Sequence, residues 1–532
     1  MKKRGILLGV MVLLVSAALC ACGKGGKNTE SSDTVNSSSE VQGTSEAAQT
    51  EEATAGEPVQ GGHVVLGMTQ DLVSLDPHQV TDAGTRGAVF NLYEGLVKPT
   101  SDGDIEPAVA ASYEISDDAK TYTFTLRDGV TFHDGSAVTA DDVKYSIERY
   151  AEIQGESSAF SILDKVEIQD EKTVVLDLKE SYSEFLPYLA SAAIIPASNE
   201  DPEGNPIGTG PFKYASYKPG QSLKIEKYDG YWKEGYPYLD SAEFKFVADV
   251  DTAYTELKAG TIDILNYLTI DQTQALSDDF KIVNGSMMLV HAMFLNNEYE
   301  PLQDTKVRQA LCYAVDRQAI NDFLFGGESE LIGSHMIPAI KKYYEPEAAN
   351  QYSYDPEKAK ALLAEAGYAD GFDLEITVPS AYSQHVDTAQ IIAEELKAVG
   401  INATLKQVEW ATWLSDVYSK REYQATVVGF DGTLAPSDWL KKYCTDAGNN
   451  IANFSNSDYD AAFEKAFAAV DDTEKAQYYK ECQMILAQNA ASVYIEDPAD
   501  FVAVNAKLSG YVFYPVAAQD LSTVYYTEPV NE

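Results

Sequence analysis

The residues best placed to do chemistry in this 532-residue chain are a carboxylate and its aromatic neighbours, not a catalytic set. Ala425-Thr-Val-Val428 is an apolar, β-rich run. It ends at Gly429-Phe430-Asp431-Gly432-Thr433 and continues through Leu434-Ala-Pro-Ser-Asp-Trp-Leu440. A carboxylate on such a loop can compensate a cationic ligand, because a charge buried in a dry site needs a hydrogen-bonded opposite charge. Asp431 is the first candidate for that work and Asp438, beyond Pro436, the second; a solvated turn aspartate is the plainer reading of Asp431. Trp410 and Trp413 stand three residues apart, a spacing that suits packing of one helix face or a stacking platform. Trp439, inside the loop, is expected to face a cleft.

Covalent and metal chemistry finds no support in the motifs. There is no G-x-S-x-G, no H-E-x-x-H, no Walker sequence and no clustered Cys/His set. His63, His78, His133, His291, His335 and His385 are scattered singly, and His133 in its Phe-His-Asp-Gly turn reads as structural. No enzyme activity, resident cofactor or side-chain metal cage is expected, although a metal chelate could still bind by shape.

The elements that must position these residues are legible in the C-terminal half. Asp355-Pro356 reads as a helix N-cap with Pro at the first helical position, and Gly367 as its stop. Ala359, Leu362, Leu363 and Ala366 share one face of that helix. A strand follows with Phe372, Leu374, Ile376 and Val378 alternating against polar residues, then a helix from about His385 to Val399, then a strand Ile401 to Val408. Strand–helix–strand of this length needs a crossover and predicts parallel strands in an α/β lobe, with ligand contacts on loops at the strand ends. Nearer the N-terminus, Tyr122, Phe124 and Leu126 alternate into an Asp-Gly turn, a second short strand is expected through Val130 and Phe132, and Thr139 should cap a helix carrying Asp141 and Asp142 in its first turn.

Composition bounds the function. Against 39 Lys and Arg stand 83 Asp and Glu, a formal charge of −44, which opposes nucleic-acid binding and favours solubility. A chain of this size is too long for one core and suggests two or three lobes. Met1-Lys-Lys-Arg4 is followed by an apolar run of 14 residues, Ile6 to Leu19, too short to span a bilayer and typical of a signal-peptide core. Leu19-Cys-Ala-Cys22 then supplies a lipobox with Cys22 as the lipidated residue. Residues 22–60, rich in Ser, Thr, Glu, Gly and Ala, read as a disordered tether with a reach of about 30–40 Å. Lipidation of Cys22 leaves Cys312, Cys444 and Cys482; buried thiols are expected, with a Cys444–Cys482 bridge left open.

Several motifs, in order, resemble the family 5 solute-binding proteins of ABC importers, the oligopeptide- and dipeptide-binding group. Leu75-Asp-Pro77 and Tyr93-Glu-Gly-Leu-Val97 come first, then Tyr122-Thr-Phe-Thr-Leu-Arg-Asp-Gly-Val130, Thr131-Phe-His-Asp-Gly135 and Ala140-Asp-Asp-Val-Lys-Tyr-Ser146. Gly208-Thr-Gly-Pro-Phe-Lys213, Tyr228-Asp-Gly-Tyr-Trp232, Leu257-Lys-Ala-Gly-Thr-Ile-Asp263 and Lys306-Val-Arg-Gln-Ala-Leu-Cys-Tyr-Ala-Val-Asp316 follow.

The resemblance implies a two-lobed α/β fold of the periplasmic-binding-protein type (type II, Venus flytrap) with an extra domain inserted in the first lobe. Beside the signal peptide at residues 1–21 read above, it implies 61–98, 207–293 and 500–532 as lobe I, 99–206 as the extra domain and 294–499 as lobe II. The chain should cross between lobes near Phe294–Asn297 and near Asp497–Val504. It implies a monomeric receptor, held at the extracytoplasmic face of a bacterial membrane by its lipid alone, that hands a solute to permease and ATPase subunits. Short peptides lead as the solute; an oligosaccharide, opine or metal chelate is the alternative, and a surface sensor or adhesin the alternative of another class. Gly429 and Phe430 match the family's G-W of G-W-x-x-D, whose Asp pairs with a peptide ammonium, but Thr433 stands where that Asp should be, so Asp431 would have to replace it. On the opposite lobe, the loop of Thr81, Asp82, Gly84 and Thr85 is implied to meet the other side of the ligand.

Overall fold

The computed structural model describes residues 57–155 and 158–529; Cys22 and most of the expected tether lie outside them. Three sheets of four or more strands carry the fold. The first has seven strands, with His63–Met68 parallel to both Ser241–Phe246 and Ile264–Leu265. Val64 and Leu66 point into its core while His63 stays exposed, the alternation of a half-buried strand.

The second sheet, of four antiparallel strands, spans Ala110 to Leu178. Tyr122, Phe124 and Leu126 are buried as their spacing predicts. Helix Ala140–Gln154 covers this sheet through Val143 and Ile147. Its start is the expected one: the Thr139 hydroxyl accepts from Asp142 N–H and the Asp142 carboxylate accepts from Thr139 N–H, a reciprocal capping box. The expected strand through Val130 and Phe132 is not there. Thr131 and Ala137 form one isolated bridge, because Phe132 N–H turns back onto Ser136 C=O inside a loop tightened by Asp134.

The third sheet has six strands. Asp373–Pro379 runs parallel to Asn402–Val408 on one side and to Ala425–Phe430 on the other. Asp355 caps helix Pro356–Glu365, and helix Ser383–Ala398 makes the predicted crossover. Gly367 and Gly400 follow these helices at φ 90°, a left-handed geometry that a side chain would oppose.

The chain passes between the first and third sheets at two adjacent places. Phe280–Ser286 pairs with Ala499–Asn505 in one sheet, and Val290–Leu295 pairs with Ser492–Asp497 in the other. Residues 287–289 and Pro498 make the crossings, tied by a 2.8 Å bond from Met287 N–H to Pro498 C=O. The first crossing therefore precedes the expected Phe294–Asn297. Phe294 is fully buried and already pairs with Thr426 and Ser492 inside the six-stranded sheet. Cys312, Cys444 and Cys482 are free thiols, so no bridge joins Cys444 to Cys482.

Candidate functional site

In open α/β sheets the loops beyond the carboxyl ends of parallel strands form the ligand crevice. Those ends are Met68, Phe246 and Leu265 in the first lobe and Pro379, Val408 and Phe430 in the second. The sequence candidates fall on the loops that follow: Thr81 and Asp82 after Met68, Trp410 after Val408, Asp431 after Phe430.

Gly429 sits where a Cβ would press on Leu289 at 3.2 Å and His385 at 3.4 Å. Phe430 packs edge-on to Phe294, with ring centroids 5.0 Å apart, and the Lys442 ammonium lies 5.3 Å from its ring centroid. Burial draws the Lys442 ammonium below its ordinary pKa against the opposing pull of Asp438 and Asp431. Asp431 is exposed and makes no hydrogen bond or ion pair among the described residues. A Cβ on Gly432 would stand 2.7 Å from the Trp439 indole. That indole, with 0% of its surface exposed, donates to Thr433 C=O at 2.8 Å. Trp439 thus secures the loop from beneath and offers no face to a cleft. Asp438 is engaged as well: it accepts from Thr433 N–H at 3.3 Å and from the Tyr188 hydroxyl at 3.0 Å.

The two rings of the tryptophan pair differ in burial. Trp413 is fully buried and donates to the Thr426 hydroxyl at 2.9 Å. Trp410 lies parallel to it, 5.1 Å away with an interplanar angle of 3°, and is 37% exposed. Tyr382, after Pro379, stands edge-on to Trp410 and is also exposed.

On the first lobe, Thr81 is exposed, and Asp82 caps helix Ala83–Val89 by accepting from Thr85 N–H at 2.8 Å. The second oxygen of Asp82 is buried without a hydrogen-bond partner among the described residues. Gly84 lies against Met68, and the buried Thr85 hydroxyl accepts from Val73 N–H, a structural role. Tyr267, just beyond Leu265, was not anticipated. It is 61% exposed and holds φ at 62°, a strained geometry for a bulky residue that concentrates at ligand clamps. As one of 34 tyrosines it carries no sequence signal.

Beneath Gly429 lies a second feature hidden from the sequence. His291 and His385, 94 residues apart, meet at 3.3 Å. Gly429 N–H donates to His385 Nε2, so His385 Nδ1 carries the proton and donates to His291 Nε2. His291 Nδ1–H then points to the Glu496 carboxylate at 3.6 Å. Burial pushes the Glu496 carboxyl up to about 8 and draws His291 down to about 4.

Two α/β lobes joined by paired crossings, with polar and aromatic loops at the crevice ends of both, have the form of a solute-binding receptor. The comparisons agree. Residues 104–450 match the bacterial extracellular solute-binding proteins, family 5 Middle. The chain belongs to this family and is a solute-binding protein of an ABC importer. Heme-binding protein A of Haemophilus influenzae is 31% identical over 77% of this chain and 82% of its own. The glutathione-binding protein GsiB of Salmonella paratyphi A is 29% identical over 80% and 86%. The oligopeptide-binding protein AppA from Bacillus subtilis, solved with a nonapeptide, is 26% identical, covers 88% of this chain and 100% of its own, and has a TM-score of 0.70.

Proposed function

We propose that this protein captures short peptides between its lobes and delivers them to an ABC permease, tethered outside the membrane by lipid on Cys22. Asp431 carries the reading: it is an exposed carboxylate with no fixed partner among the described residues, on a glycine-flanked loop at the crevice end of a parallel strand. It can receive the α-ammonium of a peptide, while Asp438 is already occupied. The glutathione-binding relative and the relative solved with a nonapeptide support a peptide ligand. Loop residues Phe430, Gly432 and Thr433, and Thr81, Asp82 and Tyr267 opposite, would surround the main chain.

A flat chelate is the second reading. The exposed Trp410 and Tyr382 rings favour it, as does the heme-binding relative. Native mass spectrometry of ligand co-purified with the full-length protein separates the two. A set of peptide masses supports the first reading, and a single porphyrin-like mass would replace it with the second.

A further inference from the structure

The segment Tyr182–Tyr188 follows the last strand of the inserted four-stranded sheet and packs Phe185 and Leu186 into its core, yet Ser183, Glu184 and Tyr188 reach the lobe that carries Asp431. Glu184 is only 4% exposed there. Its Oε2 accepts the Ser437 N–H at 3.0 Å, and its Oε1 accepts the Tyr479 hydroxyl at 2.5 Å. Lys475, 1% exposed, places its ammonium 4.0 Å from the same Oε1 and donates to the Ser183 hydroxyl, which in turn donates to Ala469 C=O at 3.1 Å. Two buried charges thus compensate each other, with hydrogen bonds completing the contact, and removal of either partner would leave the other buried and uncompensated.

Four residues beyond Glu184, the Tyr188 hydroxyl donates to Asp438, whose other oxygen accepts Thr433 N–H. Ser437 and Asp438 belong to the short helix Pro436–Leu440, which the chain enters directly from Asp431–Ala435. Each end of this contact therefore grips the element that terminates the candidate ligand loop.

We propose that the inserted sheet region is a working part of solute capture: Glu184 and Tyr188 are positioning residues that hold the ligand loop through Ser437 and Asp438. The conformation of Thr433, and with it the aim of Asp431, then depends on contact between the inserted region and the second lobe. This goes beyond the peptide reading, since the clasp is built whichever solute binds.

Amide hydrogen exchange on the full-length protein without added ligand, read by mass spectrometry, tests it. In the wild type the hydrogen-bonded amides of residues 431–440, those of Thr433, Ala435, Ser437 and Asp438, are expected to exchange slowly. Glu184→Ala and Tyr188→Phe each speed their exchange at least tenfold, while Asp373–Pro379 keeps its rate. Glu184→Gln restores part of the protection, because its side-chain carbonyl still accepts the Ser437 N–H although Lys475 loses its counter-charge. Equal exchange of 431–440 in wild type and variants overturns the proposal. So does acceleration that spreads equally to Asp373–Pro379, or a Gln variant indistinguishable from Ala. Should Glu184→Ala fail to fold, Tyr188→Phe, which loses one oxygen atom, decides alone.

Discussion

The backbone N–H of Tyr267 donates to the buried carboxylate of Asp500 at 3.0 Å. This bond holds a tyrosine in the left-handed region, from which its ring projects beyond the end of Ile264–Leu265. Asp500 is costly to bury, and it is not alone. Glu496 and Asp497 lie just before the second crossing, so three buried carboxyls stand within five residues of chain.

Their protonation gives a pH dependence with a definite sign. Burial raises Asp497 and Asp500 to about 7 and Glu496 to about 8, so the folded protein binds more protons than the unfolded chain up to those values. Stability from these groups is full below the unfolded carboxylate pKa near 4 and is lost as pH rises through 7 to 8. Buried His78, His133 and His291 are drawn down to about 4 and act oppositely, but only below about 6.5. Between pH 6.5 and 8.5 the carboxyls are unopposed by these histidines. Urea unfolding should show stability falling there by on the order of 1–3 kcal/mol, with a shallower fall in Glu496→Gln. A rise across that window contradicts the assignment.

Asp431→Asn should weaken peptide binding by roughly 10- to 150-fold, the worth of one charge-assisted hydrogen bond in a dry site at about 1.5–3 kcal/mol. Acetylating the peptide amine should cost the wild type similarly and the variant much less. Calorimetry in which free and acetylated peptides bind the wild type equally well would remove Asp431 as an ammonium site.

The stacked tryptophans should separate stability from recognition. Trp413→Ala empties a fully buried site and strands the Thr426 hydroxyl, costing about 3–5 kcal/mol. Trp410→Ala should cost less, about 1–2 kcal/mol, because 37% of that residue is already in water. Urea midpoints that fall equally in the two variants would show Trp410 to be core after all.

Gly432→Ala sets a methyl group against the Trp439 indole and strains the bond to Thr433 C=O. A loss of about 1–3 kcal/mol is expected, with weaker binding of any ligand that the loop contacts. An unchanged thermal midpoint would mean that the loop yields freely and that Trp439 does not brace it.

Cys22→Ala should release the protein from membranes, whereas Cys20→Ala should leave it anchored. Fractionation with the reverse outcome would move the lipid to Cys20.

Much of the scaffold was legible because it is local. The Thr139 capping box, the Asp355-Pro356 start and the alternation of Tyr122, Phe124 and Leu126 each depend on neighbours within a few residues. What escaped reading depends on distant partners. Val290–Leu295 is almost wholly apolar, and nothing within it says which sheet will receive it, so its sequence could not correct the crossing that the resemblance implies near Phe294–Asn297. Tyr267 owes its geometry to a carboxylate 233 positions away, and Glu184 finds Tyr479 across 295. Trp439 shows the converse: a loop position suggested exposure, while the glycine above it allowed the indole to sink.

The side-by-side crossings have a mechanical consequence. A single connecting strand could swivel, but two strands fastened to each other at Met287 and Pro498 behave like a strip of leaf spring. Such a strip yields to flexing across its face and resists torsion about its length. Relative travel of the lobes is thereby funnelled toward one swing, and Tyr267 and Asp431 would return to the same mutual alignment on every stroke.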